Sequence, residues 1–221
     1  MKPTKITAHM LDGRIATTDL CLPIDSMLAW AWIAKYHPEK LEHDPTRTKG
    51  VELIGPSLPL PLERREANGE SYWAASFALG NPMYEFRNFW HKRFDAQEAE
   101  DYADFQGRRG KVNVGAAQFK NYRMPLTVFL VPELTWYVVG NQKEIADLVN
   151  RITSIGKKRS QGYGKISYWS LEDAEEDLSH LRAIPDPNGD EIYGIRPPYW
   201  LESNVVRVKM SDDPRLAANA I

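Results

Sequence analysis

Residues 124–171 read MPLTVFLVPELTWYVVGNQKEIADLVNRITSIGKKRSQGYGKISYWSL, and this stretch decides the fold. MPLTVFLV and LTWYVVG are rich in β-branched and aromatic residues, and Pro132-Glu133 between them predicts a short hairpin connection. Asn141, with Glu144 three residues on, predicts a helix start with a capping box. Ile145, Leu148, Val149 and Ile152 then recur at i, i+3, i+4 and i+7, which puts them on one face of a helix. A glycine-rich loop follows, and KISYWSL resumes as a strand. The order is strand, strand, helix, glycine loop, strand.

Working outward, KITAHMLDGRIAT from Lys5 predicts a first strand. LPIDSMLAWAWIAKYHPEK predicts a helix with Asp25 or Ser26 as N-cap and Pro38 as its stop. It is apolar on nearly every side, so it is expected to be buried on more than one face, with Trp30 and Trp32 in the core by default or one of them docked against a neighbouring subunit. SYWAASFALG from Ser71 predicts another strand. The order βα…ββαβ implies an α+β, ferredoxin-like (RRM-like) arrangement with insertions in its first half. A single domain is expected over 1–221, with irregular insertions within 37–122, a helical acidic stretch at DAQEAEDYADF and a loosely held tail from 210 to 221.

Composition bounds the function. The 221 residues are 43% apolar and 26% charged, the mixture of a globular chain. No apolar run suits a membrane span, and the N-terminus lacks a signal peptide's apolar centre, so a cytoplasmic protein without a membrane partner is expected. A single cysteine excludes an internal disulfide, no Cys/His spacing suggests a metal, and the sequence asks for no cofactor. The net charge of −2 is unevenly distributed. Residues 107–123 carry five Lys/Arg and no acid, and 156–165 carry four more and no acid. Residues 170–191 carry eight acids and one Arg, and EDAEED at 172–177 reads as a solvated helix start. A polyanion responds to this local distribution rather than to the total.

IGKKRSQGYGKI, 155–166, is neither a Walker A loop nor a dinucleotide fingerprint. Five residues separate Gly156 from Gly162, and the loop follows a helix instead of opening one. What remains is a backbone able to approach phosphate closely, with cations beside it. The candidate RNA-binding residues are Gly156, Lys157, Lys158, Arg159, Ser160, Gln161, Gly162, Tyr163 and Gly164, with Tyr163 offering a ring for a base. A solvated turn is the plain alternative for such a loop, and the second acid-free segment tips the balance towards RNA. That segment adds Arg108, Arg109 and Lys111 between glycines, then Lys120, Tyr122 and Arg123. FWHKRF adds Trp90, His91, Lys92 and Arg93 as further candidates for nucleic-acid contact.

The hydrophobic-Gly, five-residue, Gly-hydrophobic-Gly pattern before a strand resembles the C-terminal glycine-rich loop of the RAMP superfamily of RNA-binding CRISPR proteins. FKNYRMPLTVFLVPELTWYVVGNQKEIADLVNRI is similar to that family's hairpin and helix. LDGRIATTDLCLPIDSMLAWAWI is similar to the opening strand and helix of the type IV variety of CRISPR-associated protein five. The resemblance implies a RAMP fold and a non-catalytic subunit of a type IV surveillance complex. Such a subunit anchors the 5′ handle of the crRNA at one end of a filament of backbone RAMP subunits. It meets the large subunit there, near the place where a target DNA duplex is inspected. Some RAMP proteins instead cut precursor RNA without metal, using His, Tyr or Lys. Of His9, His37, His43, His91 and His180, none has an evident partner in sequence, so no catalytic residue is assigned. An endoribonuclease on the same fold is the alternative.

Overall fold

The computed structural model describes residues 1–41, 58–95, 98–99, 115 and 120–217. The fold is α+β, and every strand pair among the described residues is antiparallel.

The first segment forms two strands, β1 (Lys2–Met10) and β2 (Arg14–Ala16). Helix α1 (Ile24–Tyr36) follows. Then come β3 (Arg64–Ala67), β4 (Glu70–Trp73), β5 (Leu79–Gly80), β6 (Tyr84–Lys92), β7 (Tyr122–Leu130) and β8 (Glu133–Gly140). Helix α2 (Gln142–Val149), β9 (Ile166–Asp173), β10 (Ile184–Pro185), β11 (Glu191–Gly194) and β12 (Val205–Lys209) complete the strands and longer helices described here. The central sheet has the order β5-β8-β1-β9. Ile6, Ala8, Leu134, Trp136 and Val138 alternate onto one of its faces and are buried with residues of α1 and α2. Two indoles tie this core together: Trp136 donates to the carbonyl of Leu22 at 2.8 Å, and Trp169 to that of Ile152 at 2.9 Å.

The expected hairpin between MPLTVFLV and LTWYVVG does not form. β8 pairs with β1 from Lys2↔Gly140 to His9↔Glu133, and β7 pairs with β2 from Arg14↔Leu130 to Ala16↔Val128. The same partner segment therefore runs beside both strands. At the junction Met10 donates to the Pro132 carbonyl at 2.9 Å and Val131 to that of Gly13 at 2.7 Å. Pro132 has no N–H for the ladder, so the chain bends there and passes into a second sheet of order β2-β7-β6 instead of reversing. The reversal lies earlier in the chain: β6 pairs with β7 from Tyr84↔Leu130 to Lys92↔Tyr122.

The expected cap of α1 is also different. Pro23 precedes the helix, no side chain caps it, and Asp25 sits inside the first turn, fully buried. The capping prediction for α2 holds: Asn141 accepts from the Glu144 N–H at 3.4 Å and donates to its carboxylate at 2.5 Å. Ile145, Leu148 and Val149 are buried on α2; Ile152, expected on the same helix face, lies past the helix end at Val149 and is buried there. Ser71–Gly80 gives two strands, β4 and β5, joined by irregular backbone rather than one. Glu172 and Asp173 end β9 and no helix follows, because Asp177 turns back to hold Ser179 and Arg65.

Beyond β9 the chain builds a sheet of order β10-β12-β11, which the sequence reading passed over. Leu178, Leu181, Ile195 and Val208 pack with Phe77 in a second apolar cluster. Leu216, within the expected loose tail, is 8% exposed in that cluster, and 218–221 lie outside the described residues. Arg182 joins the two cores. Its guanidinium donates to the carbonyls of Trp73 (2.8 Å), Ala75 (3.0 Å) and Ile195 (2.6 Å) and to the Tyr199 hydroxyl (2.8 Å), 3.4 Å from Asp25. Tyr199 in turn donates to Asp25 at 2.7 Å.

Candidate nucleic-acid interface

The loop between α2 and β9 is held by backbone hydrogen bonds to β2 and across its own neck. Gly164 donates to the Arg14 carbonyl at 2.7 Å, Lys157 to that of Ala16 at 2.6 Å, and Ile155 to that of Gly164 at 2.9 Å. Glycine is required where these crossings are tightest. Gly164 has φ +68°, and a Cβ there would lie 1.8 Å from the Ile155 oxygen. Gly156 has φ +81°, with the Ala16 oxygen 2.7 Å from such a Cβ. Lys158 also adopts the left-handed region, at φ 55°, and Arg159–Gln161 turns as a short 3-10 segment. The N–H groups of Lys158, Arg159 and Ser160 have no acceptor among the described residues. No acidic side chain among those residues pairs with Lys157, Lys158 or Arg159.

The loop meets the β6–β7 ribbon. Asn88 donates to the Tyr163 hydroxyl at 2.7 Å, and the Lys158 ammonium lies 2.9 Å from the centre of the Trp90 ring. Trp90 packs edge-on to Tyr122 at 5.0 Å, and Lys92 lies 6.0 Å from the same Tyr122 ring. Strand alternation explains the set. Asn88, Trp90 and Lys92 share one face of β6, opposite Leu126, Met124 and Tyr122 of β7. The guanidinium of Arg14 stands 5.7 Å from the Tyr163 ring centre. Arg14 is held by Asp12 at 2.6 Å. Burial works against ionisation of Asp12, yet the hydrogen bonds and charge of Arg14 hold its carboxyl below the usual value.

The second basic segment meets the loop surface through Tyr122 alone among its described residues. Gly156 to Gly164, Trp90, Lys92 and Tyr122 form one continuous surface. His91 and Arg123 alternate onto the other face of the ribbon, where Arg123 lies 3.7 Å over the Phe89 ring. Arg93 and Lys120 are exposed just beyond the paired ends of the ribbon. Arg108, Arg109 and Lys111 lie outside the described residues. Sequence reasoning missed Asn88 and Arg14. Period-two alternation through Asn88, Trp90 and Lys92 was the signal for the first; the second is recognisable only once β2 lies beside the loop.

Three of the described histidines, His9, His37 and His180, are engaged away from the loop. His9 lies on the other face of the central sheet, bonded to Glu133 at 2.8 Å and Ser170 at 2.9 Å and stacked on Tyr168 at 4.0 Å. His37 contacts Glu39 at 3.3 Å, and His180 the Asp177 carbonyl at 3.2 Å. His43 lies outside the described residues. No helix is long and apolar enough to cross a membrane, and no group of metal-binding side chains assembles among the described residues.

One family model matches the chain over nearly its whole length. The model of the family CRISPR type IV associated protein Csf3 matches residues 2–211, which takes in the loop, the ribbon and the central sheet. No curated protein matches the chain. The chain belongs to the Csf3 family of CRISPR type IV associated proteins, which implies a subunit of a type IV CRISPR complex.

Proposed function

We propose that the protein is a non-catalytic RNA-binding subunit of the ferredoxin-like RAMP class, related to CRISPR-associated protein five, that anchors the 5′ handle of the crRNA. The observation that carries this reading is the contact of Lys158 and Tyr163 with Trp90 and Asn88. It joins cations and N–H groups that meet no acid or acceptor among the described residues to a row of rings. Cations and amides suit a ribose-phosphate chain, and rings suit unpaired bases. Burial of α1 and α2 against one face of a β5-β8-β1-β9 sheet supports the fold assignment. At one end of a filament of backbone RAMP subunits, beside the large subunit, such a surface orients the guide while base pairing reads the DNA. A catalytic role is not assigned, because His9 lies across the central sheet from α1 and α2 and His91 faces away from the loop.

The test is equilibrium binding of repeat-derived RNA across a salt series. Changing Lys157, Lys158 and Arg159 together to Ala should weaken binding at least about tenfold and flatten the logarithmic salt slope by about 2, since each phosphate contact to a single strand contributes roughly 0.7. An unchanged slope and affinity would reject the assignment. Incubating the protein with repeat RNA in EDTA tests the endoribonuclease alternative, and defined cleavage products would support it.

A further inference from the structure

Behind the glycine loop, between it and the start of α1, lies a pocket of about 330 Å³, at the lower end of small-ligand sites, which span roughly 300–1,000 Å³. Its apolar wall is Met27, Trp30 and Ile155, and its polar groups are Ser26, Ser154 and Arg159. Trp30 was expected in the core; instead it is 43% exposed and forms one side of this opening. Trp32, two positions on, turns inward against the core.

We propose that this pocket takes one unstacked nucleobase of the RNA strand whose phosphates the loop holds. The proposal rests on that reading of the loop and goes beyond it by giving the loop a base-binding partner site. The chemistry of the lining selects the occupant. An exposed indole offers a stacking plane, Ser154 and Arg159 offer donors to a base edge, and the Ser26 hydroxyl, which donates to the Pro23 carbonyl at 2.8 Å, can accept from one. Arg159 belongs to both sites, so a nucleotide whose phosphate lies on the loop can reach the pocket with its base. An aliphatic anchor from a protein would cover the same wall but strip water from Arg159 without giving it an acceptor, which is costly. No acidic side chain among the described residues lines the opening, which suits the strongly negative chain a nucleotide belongs to.

The experiment uses the full-length protein and repeat-derived RNA carrying 2-aminopurine at one position at a time. At one position, fluorescence should change on binding. Trp30→Leu should abolish that change and weaken binding roughly fivefold to a hundredfold, the range of base–aromatic stacking. Trp30→Phe should retain both, which separates stacking from folding, and the salt slope should stay at the wild-type value in both variants. If Trp30→Leu leaves affinity and every 2-aminopurine signal unchanged while the triple loop variant still binds weakly, the pocket proposal fails and the phosphate reading stands. If the triple loop variant binds like wild type, both fail. If Trp30→Leu binds RNA normally but drops out of the assembled complex, the pocket is a protein anchor and the proposal is overturned.

Discussion

Arg182 and Arg159 carry the same charge in opposite circumstances. Arg182 is completely buried and surrounded by the carbonyls of Trp73, Ala75 and Ile195, the Tyr199 hydroxyl and the Asp25 carboxylate. Arg159 is exposed, with no ion pair among the described residues. A charge that the fold needs is fully satisfied from within, because desolvation without partners would cost several kcal/mol. A charge that the fold does not need can stay unsatisfied in water at little cost, and it is then available to a ligand. The difference separates the second core, where polar groups fix how the C-terminal sheet sits on α1, from the loop, where they point outward.

The strongest way to break that contrast is to remove Arg182. Arg182→Met should destabilise the protein by about 3–5 kcal/mol in urea unfolding, because Asp25 and three carbonyls lose their buried donor. A loss below 1 kcal/mol would show that the network is ornamental. Next in size is Gly164→Ala. Its Cβ would meet the Ile155 oxygen, and left-handed backbone adds strain, so a loss of about 2–4 kcal/mol together with weakened RNA binding is expected. Gly162→Ala, at φ +91° but with open space around it, should cost only about 1 kcal/mol. Equal effects of the two would mean that the close approach of Gly164 to Ile155 does not shape the loop.

The smallest effect concerns Asp177. Its burial opposes ionisation, but the hydrogen bonds from Ser179 and the guanidinium of Arg65, 2.6 Å away, hold its carboxyl below the usual value. A lowered carboxyl contributes stability that is present above its unfolded value near 3.9 and is lost as pH falls through the folded value. Urea midpoints measured at pH 6 and pH 3 should therefore fall less in Asp177→Asn than in wild type. The difference should stay below about 1 kcal/mol, as for other solvent-screened pairs.

Much of the central sheet was legible because its signals are local. The Asn141–Glu144 pair and the apolar spacing from Ile145 to Val149 specify α2 within nine residues, although the same spacing carried the expected helix on to Ile152, and the glycine pattern marks the entry to β9. What failed was long-range. Whether Val131-Pro132 reverses the chain or bends it depends on Gly13 and Met10, which lie over a hundred residues earlier. Asp25 reads as a helix cap until Arg182 and Tyr199 are seen to surround it. The site divided in the same way. The loop was visible as glycines and cations in one window, whereas its contact with Asn88 and Trp90 is set by β6 pairing with β7. Trp30 was misplaced because a helix apolar on nearly every side does not say which of its residues faces an opening.

The most direct test of the central claim is ultraviolet crosslinking of guide RNA within the assembled complex, with the adducts located by mass spectrometry. The account predicts adducts at Trp90, Tyr122 and Tyr163. Adducts confined to Tyr168 on the other face of the central sheet, or to the exposed Trp200 of the C-terminal region, with those three residues unmodified, would contradict it.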